Sequence, residues 1–377
     1  MMPSVYLVSF FALALTVLLV SSKSPTDPGV GFSLSIDYGT ASIYFNNGTV
    51  VDVAKVEGSG HYKTMMRSFG AQEAIDSGAE SANSRATSET ASFRPMLLRL
   101  QDAVSLPQWL KHAWNRWTTR ARTGSALNLS AVEAMLRTLN IATESYLEGL
   151  STADPVLAVP FPVSASGHQL LQSAARAADL GSAFLLHIAG QAAAEANGIS
   201  KCEQDYNDAE VESDHAGGCA PQLVLTVDYS RSALTALLFS TNVGVFKLLR
   251  TRHDLELGTD GLRRCQKDSQ NAETCTRRLV DGLREAMKMP LKDGGRGAPK
   301  HISELALLGD RALDKGLREI LQQLLWEQSV SASLIGQASN GNMMIDPVFA
   351  AARGSAAASW ELTQGNWDAA GSAKNDL

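Results

Sequence analysis

The sequence predicts an α/β protein built as two related lobes, and three observations carry that prediction. Phe32, Leu34 and Ile36 alternate with small polar residues, the period of a strand with one face inward. Asp37 ends that strand, Gly39 allows a tight reversal, and Ala41 to Phe45 starts a second strand. About 190 residues later, Leu225-Thr226-Val227-Asp228, a short turn and the apolar run Leu234 to Ser240 repeat the same plan. Between the two units lies a β-α-β-α rhythm with short connections, the pattern of a layered α/β architecture. A chain of 377 residues, 45% of them hydrophobic, is long enough to bury a real core in each lobe.

Taken in order, the chain opens with an apolar run from Val5 to Val20, short for a membrane-spanning helix. Ser21 and Ser22 follow it and Lys23 comes after, so residues 1–22 read as a signal peptide or an uncleaved membrane anchor. Ser24 to Gly31 is a linker. After the first hairpin, Asn47-Gly48 favours another turn, and Val50 to Val56 is a third strand. Tyr62 to Phe69 fits either helix or strand. Gly70 to Ala91 is poor in large apolar residues and reads as a mobile insertion. Phe93 to Leu100 and Trp109 to Trp117 read as helical, and Ala131 to Leu147 as a helix with Leu136, Leu139 and Tyr146 near one face.

Val156 to Pro160 is a compact apolar strand limited by its prolines, followed by a helix from Gly167 to Asp179. A strand, Ala183 to Ile188, and a helix, Gln191 to Asn197, come next, with Gly198 as the residue that ends the helix. Lys201 to Gly218 is an acidic loop. Leu223 to Asp228, Leu234 to Ser240 and Val243 to Arg250 are strands. Leu257 to Asp260 is a polar turn before a helical region that includes Leu279 to Met287. Ile302 to Leu308 is a strand. The helix Leu313 to Trp326 carries an apolar stripe of Leu313, Leu317, Ile320, Leu321, Leu324 and Leu325. Val348 to Trp360 is an Ala-rich helix. The expected domains are a first lobe over 31–200 with a helical insertion at 70–150, a second lobe over 219–362, and a flexible tail over 363–377.

A net charge of -6 does not suggest nucleic acid as a partner. Cys202, Cys219, Cys265 and Cys275 form an even set. With the N-terminal run they fit two disulfides, Cys202–Cys219 and Cys265–Cys275, among three connectivities that sequence allows. Asn47-Gly48-Thr49 and Asn128-Leu129-Ser130 match the glycosylation sequon. Together these features place the chain in the secretory pathway: lumenal, secreted or membrane-anchored.

The chemistry concentrates at the Asp-ended turns. An Asp beside a Gly-Thr turn can hold a hydrated divalent cation while turn N–H groups point at phosphate oxygens. The plain alternative is a hairpin with an Asp at its rim. The order of these motifs resembles the actin, sugar-kinase and heat-shock-chaperone ATPase superfamily, nearest to the nucleotide-binding domain of the 70-kDa heat-shock chaperones, over about Gly31 to Leu362. The resemblance implies a two-lobed actin-like ATPase fold, a duplicated ribonuclease H-like unit with a truncated second-lobe subdomain.

Asp37, Gly39 and Thr40 match the family's first phosphate loop, with Ala41 where a second Thr stands. Asp154 to Pro160 looks like the strand before the family's Val-Pro-x-x-Phe element. Gly190, Gln191 and Ala192 replace the Glu-Pro-Thr of the lobe connection. Asp228 matches the second phosphate loop, but Ser230, Arg231, Ser232 and Ala233 replace its Gly-Gly-Gly-Thr. Leu257 to Asp260 resembles the Leu-Gly-Gly-Glu turn, and Gly309 with Asp310 and Arg311 takes the place of the adenosine motif. Asp346 to Ala358 resembles the closing helix. Lys55 and Lys63 are candidates for the family's catalytic Lys.

By this resemblance Asp37 and Asp228 are the catalytic and Mg2+-holding residues, and Gly39, Thr40, Arg231, Gly258 and Gly309 bind the nucleotide. ATP and Mg2+ are the cofactors implied, and no peptide-binding domain is expected after Leu377. Glycines at the second loop let backbone approach phosphate; side chains there obstruct it. The leading expectation is therefore a degenerate, non-catalytic domain with at most weak ATP binding. An active Mg2+-dependent ATPase and a protein-interaction module of the secretory pathway are the alternatives. A sugar kinase would need a base and substrate segment that are not recognisable. The expected partners are a nucleotide and an unidentified protein, with the membrane reached only through an uncleaved N-terminal segment.

Overall fold

Hydrophobic periodicity resolves into two sheets and several helices, a mixed α/β fold. The computed structural model describes residues 27–71, 129–150, 154–181, 185–199, 222–242, 244–268, 272–289, 299, 301–328 and 345–364. The first sheet contains β1 (Gly29–Leu34), β2 (Tyr38–Tyr44), β3 (Val50–Glu57), β4 (Val156–Val159) and β5 (Leu185–Ile188), in the spatial order β3-β2-β1-β4-β5. The second contains β6 (Gln222–Tyr229), β7 (Leu234–Asn242), β8 (Val245–Asp254) and β9 (Glu304–Leu308), in the order β8-β7-β6-β9. Each sheet begins as an antiparallel meander of three strands and continues with a parallel strand beside its first.

The helices are α1 (60–71), α2 (129–147), α3 (Ala165–Ala177), α4 (Ala189–Ala196), α5 (Thr259–Asp268), α6 (Ala272–Met287), α7 (Lys315–Glu327) and α8 (Ala350–Thr363). Ser164 and Asp314 cap α3 and α7 by accepting from N–H groups of their first turns. Gly198 takes a φ of 75° after α4, as expected of a helix-ending glycine.

Both lobes bury a large-residue core on one sheet face. In the first, Phe32, Leu34 and Ile43 meet Tyr62 and Met66 of α1 and Leu136 and Leu139 of α2. In the second, Leu223, Leu225 and Val227 meet Leu279 and Leu283 of α6 and Leu321 and Leu325 of α7. The opposite face of the first sheet carries small residues. Gly29 and Gly31 lie so close to α8 that a Cβ on either would fall on the Ala356 or Ala352 carbonyl. Thus β1 is buried on both faces, not one: glycine lets the helix rest directly on the strand. Helix α4 lies on the second sheet against Val224, Leu237 and Phe239. It crosses α8 where Gly354 meets the Ala192 backbone. Ala158, Ala189, Ala193, Leu308 and Ala351 form the seam between the lobes.

Several expectations are corrected. Tyr62 to Phe69, which by sequence fits either helix or strand, is helical. On α2 the inward residue is Leu147, and Tyr146 is 50% exposed, because one step along a helix turns a side chain by about 100°. Leu313 precedes α7 and is exposed, so the apolar stripe starts at Leu317. Among the described residues no helix is long and apolar enough to cross a membrane. The expectation of a membrane partner and a membrane-anchored localisation in the secretory pathway is corrected on that finding. The run from Val5 to Val20, the insertion from 72 to 128, the acidic loop with Cys202 and Cys219, the sequon residue Asn128 and the tail after 364 lie outside the described residues.

Candidate functional site

The turn that carries Asp37 is held from below. Ser35 N–H donates to the Tyr38 carbonyl at 2.8 Å, and Gly58 N–H donates to the Asp37 carbonyl at 2.8 Å. The hydroxyl of Tyr62, a fully buried residue of α1, donates to the Ser35 carbonyl at 2.7 Å. With its backbone fixed this way, the Asp37 carboxylate points across the seam to the second lobe. There it accepts two hydrogen bonds from one residue: Ser232 N–H at 3.0 Å and Ser232 Oγ at 2.5 Å. Arg67 of α1 donates to the same Ser232 Oγ at 2.7 Å.

Ser232 belongs to a tight turn between β6 and β7. Ser230 N–H donates to the Ala233 carbonyl, and Ser230 Oγ accepts from Ser232 N–H and Ala233 N–H. The start of α5 holds the turn from the other side, with Thr259 N–H donating to Ser230 and Asp260 N–H to Arg231 carbonyls at 3.1 and 2.9 Å. Gly258 permits that approach, since a Cβ there would fall on the Ala233 N–H. Arg231 leaves the turn sideways, donating to Glu57 of β3, with its Nε 3.1 Å from Asp310 Oδ2. Lys55 and Lys63 lie 3.5 and 3.9 Å from the same Glu57. Burial works to raise the Glu57 carboxyl, but Arg231 and then Lys55 outweigh it and hold Glu57 below its ordinary range.

Asp228 is in a different situation. It shares the inner face of β6 with Val224 and Thr226, pairs with Thr235 and Leu308, and keeps Oδ1 sealed from solvent without a hydrogen-bond partner. Burial first, then the Asp310 and Asp37 charges, push its carboxyl up to about 7. Gly309, with φ at 96°, brings its backbone against Tyr229 and Asp228 Oδ1, at a distance where a Cβ would clash. Asp310 Oδ1, Thr40 Oγ1 and Thr259 Oγ1 are likewise buried without partners. Ser33, Ser35, Tyr38, Asp228, Gly309 and Val348 line a cavity of about 10 Å³, the scale of one water molecule.

The structure therefore gathers Asp37, Asp228, Arg231, Gly258 and Gly309 around one seam. Thr40 is fully buried on β2, and Gly39 receives α2, where a Cβ would meet Met135 Sδ at 2.8 Å. Lys55 lies over the Tyr38 ring at 4.6 Å. Asn47 is exposed in the β2–β3 turn, where its Oδ1 accepts from Thr49 N–H. The Cys265–Cys275 disulfide joins α5 to α6. Residues that sequence reasoning gave no role are Ser232 as the partner of Asp37, and Arg67, Glu57 and Tyr62. The only signal for Ser232 was the loss of glycine after Asp228.

Among the described residues no three His, Cys, Asp or Glu side chains converge as metal ligands. Nor do the residues fit Mg2+ and a triphosphate in this arrangement. The Ser230, Ser232 and Ala233 amides of the second turn already donate within the protein, and Asp37 is capped by Ser232. No family model matches the chain, and no curated protein matches it significantly.

Proposed function

We propose that this chain is a divergent, non-catalytic actin-like domain, similar to the nucleotide-binding domain of the 70-kDa heat-shock chaperones. The repeated strand order supports the ancestry. Each lobe has a three-strand meander, a parallel fourth strand and an Asp near the end of its first strand. So does the crossing of α4 and α8 between the sheets.

One observation carries the loss of catalysis. Ser232 caps both oxygens of Asp37, where phosphoryl transfer would need a metal ion and its waters. Three of the amides that would cradle phosphate, those of Ser230, Ser232 and Ala233, are engaged inside their own turn. The test is calorimetric titration of the full chain with Mg·ATP, together with an assay of phosphate release. The expected result is no heat of binding at millimolar nucleotide and no turnover. Saturable binding with phosphate release, both abolished by Asp37→Ala in a folded protein, would establish the ATPase alternative instead.

A further inference from the structure

We infer that the Ser230–Ala233 turn is an autoinhibitory strap: it fills the seam with the protein's own hydrogen-bond donors and cation, and so excludes the polyphosphate and divalent cation of a nucleotide. The inference deepens the actin-like reading and rests on it.

Two residues of the strap engage three residues of the first lobe. Ser232 offers its N–H and its hydroxyl to Asp37 and accepts from Arg67. Arg231 donates to Glu57 and balances Asp310. Thus the strap supplies Asp37 with donors and supplies the rim with a positive charge, the two things a hydrated cation would bring. The connections are side-chain-specific. A glycine turn would keep the backbone path but lose the Ser232 hydroxyl and the Arg231 charge.

A second observation points to a ligand. Asp228 Oδ1, Asp310 Oδ1 and Thr259 Oγ1, on residues that flank the strap, are buried with no hydrogen-bond partner. Buried polar atoms are nearly always satisfied, so three such oxygens on residues beside one turn are unusual. All are hard oxygen atoms, the donor type that suits a divalent cation and its waters. The strap satisfies Asp37 and leaves these oxygens unserved. Binding a metal–polyphosphate would require the strap to leave, and the capped Asp37 opposes that.

The experiment uses the full chain and its Arg231→Gly/Ser232→Gly variant, titrated with Mg·ATP and separately with magnesium pyrophosphate. The variant should bind both probes about tenfold or more tightly than the millimolar limit at which wild type stays silent, since charge-assisted hydrogen bonds of the competing strap are gone. Binding should vanish in excess chelator. A folded variant that stays as silent as wild type overturns the strap while leaving the non-catalytic reading intact. A wild type that binds and hydrolyses Mg·ATP overturns both.

Should the double variant fail to fold, Glu57→Gln gives the decision, because Glu57 is an exposed anchor whose loss leaves the core untouched. Faster amide exchange at Ser232 and Ala233 in that variant supports a displaceable strap. Unchanged exchange overturns it.

Discussion

Asp37 and Asp228 follow similar apolar strands, yet the structure puts them in different places. Asp37 lies beyond the β1–β2 ladder, whose last pair is Leu34 with Gly39, so its side chain is free to reach the other lobe. Asp228 lies inside the β6–β7 ladder, paired with Thr235, so its side chain is fixed against the seam. One carboxylate therefore accepts two hydrogen bonds across the interface, and the other keeps a buried, unpartnered oxygen. Similar strands do not confer similar electrostatics. The position of the ladder's last pair decides which carboxyl finds donors.

The same contrast runs through the packing. The inner face of the first sheet is closed by near backbone-to-backbone contact with α8, whereas the inner face of the second is closed by α4 resting on the side chains of Val224, Leu237 and Phe239. The sharpest way to break this comparison is Gly354→Leu. A side chain there would meet the Ala192 backbone, which cannot yield as a side chain does, and a loss of about 3 kcal/mol or more in urea unfolding is expected. In the second lobe, Gly282→Ala meets the flexible ends of Leu257, at 3.0 Å, and Leu234, at 3.9 Å. It should change stability by less than about 1 kcal/mol, because the gain in helix propensity offsets the crowding.

Next in size is the Cys265–Cys275 bridge between α5 and α6. Replacing both cysteines by alanine should lower stability by about 2–3 kcal/mol, as expected for a short closed loop. Since α5 backs the Ser230–Ala233 turn, amide exchange there should rise in step.

A smaller, pH-dependent effect tests the two rims directly. The Asp228 carboxyl is raised to about 7 in the folded protein, above an unfolded value of about 4. Between those values the folded state binds more protons than the unfolded state, so this group makes stability fall as pH rises from about 4 to about 7. Glu195, raised to about 7 by burial, adds the same slope. His187 and His253, lowered by burial to about 4, act oppositely: their contribution is lost as pH falls from about 6.5 to about 4. Asp228→Asn removes one carboxyl alone. It should stabilise the protein by about 1–3 kcal/mol at pH values above about 7 and by little at about pH 4, read from denaturation midpoints.

The smallest expected change is at the exposed Lys315–Glu319 pair, 3.7 Å apart on α7. Lys315→Ala should shift stability by no more than about 0.5 kcal/mol, marking the floor against which the seam substitutions are judged.

Much of this arrangement is legible from residues alone. Val50 to Val56, Val156 to Pro160 and Leu223 to Asp228 declare strands through short apolar runs, and the Ala-rich segment after Val348 declares its helix. The first helix is ambiguous because Tyr62, Met65 and Met66 give only a single inward turn in the Tyr62–Phe69 window. Pairing across the seam is not legible at all. Ser232 meets residues 195 and 165 positions away, and nothing local in Ser230-Arg231-Ser232 marks them as its partners. The double burial of β1 was equally hidden. Gly29 and Gly31 read as linker residues until the helix that lies on them is known.

That helix has a consequence for how the molecule is made. Strand β1 begins at residue 29, while the element that covers its glycines runs from 350 to 363. During synthesis the first sheet must wait, one side bare, until nearly the whole described chain has left the ribosome. Contacts of such long sequence separation slow folding and prolong exposure of sticky surface. The first lobe is thus started early and finished last, and a nascent chain halted before residue 350 should need protection that a chain carrying α8 does not.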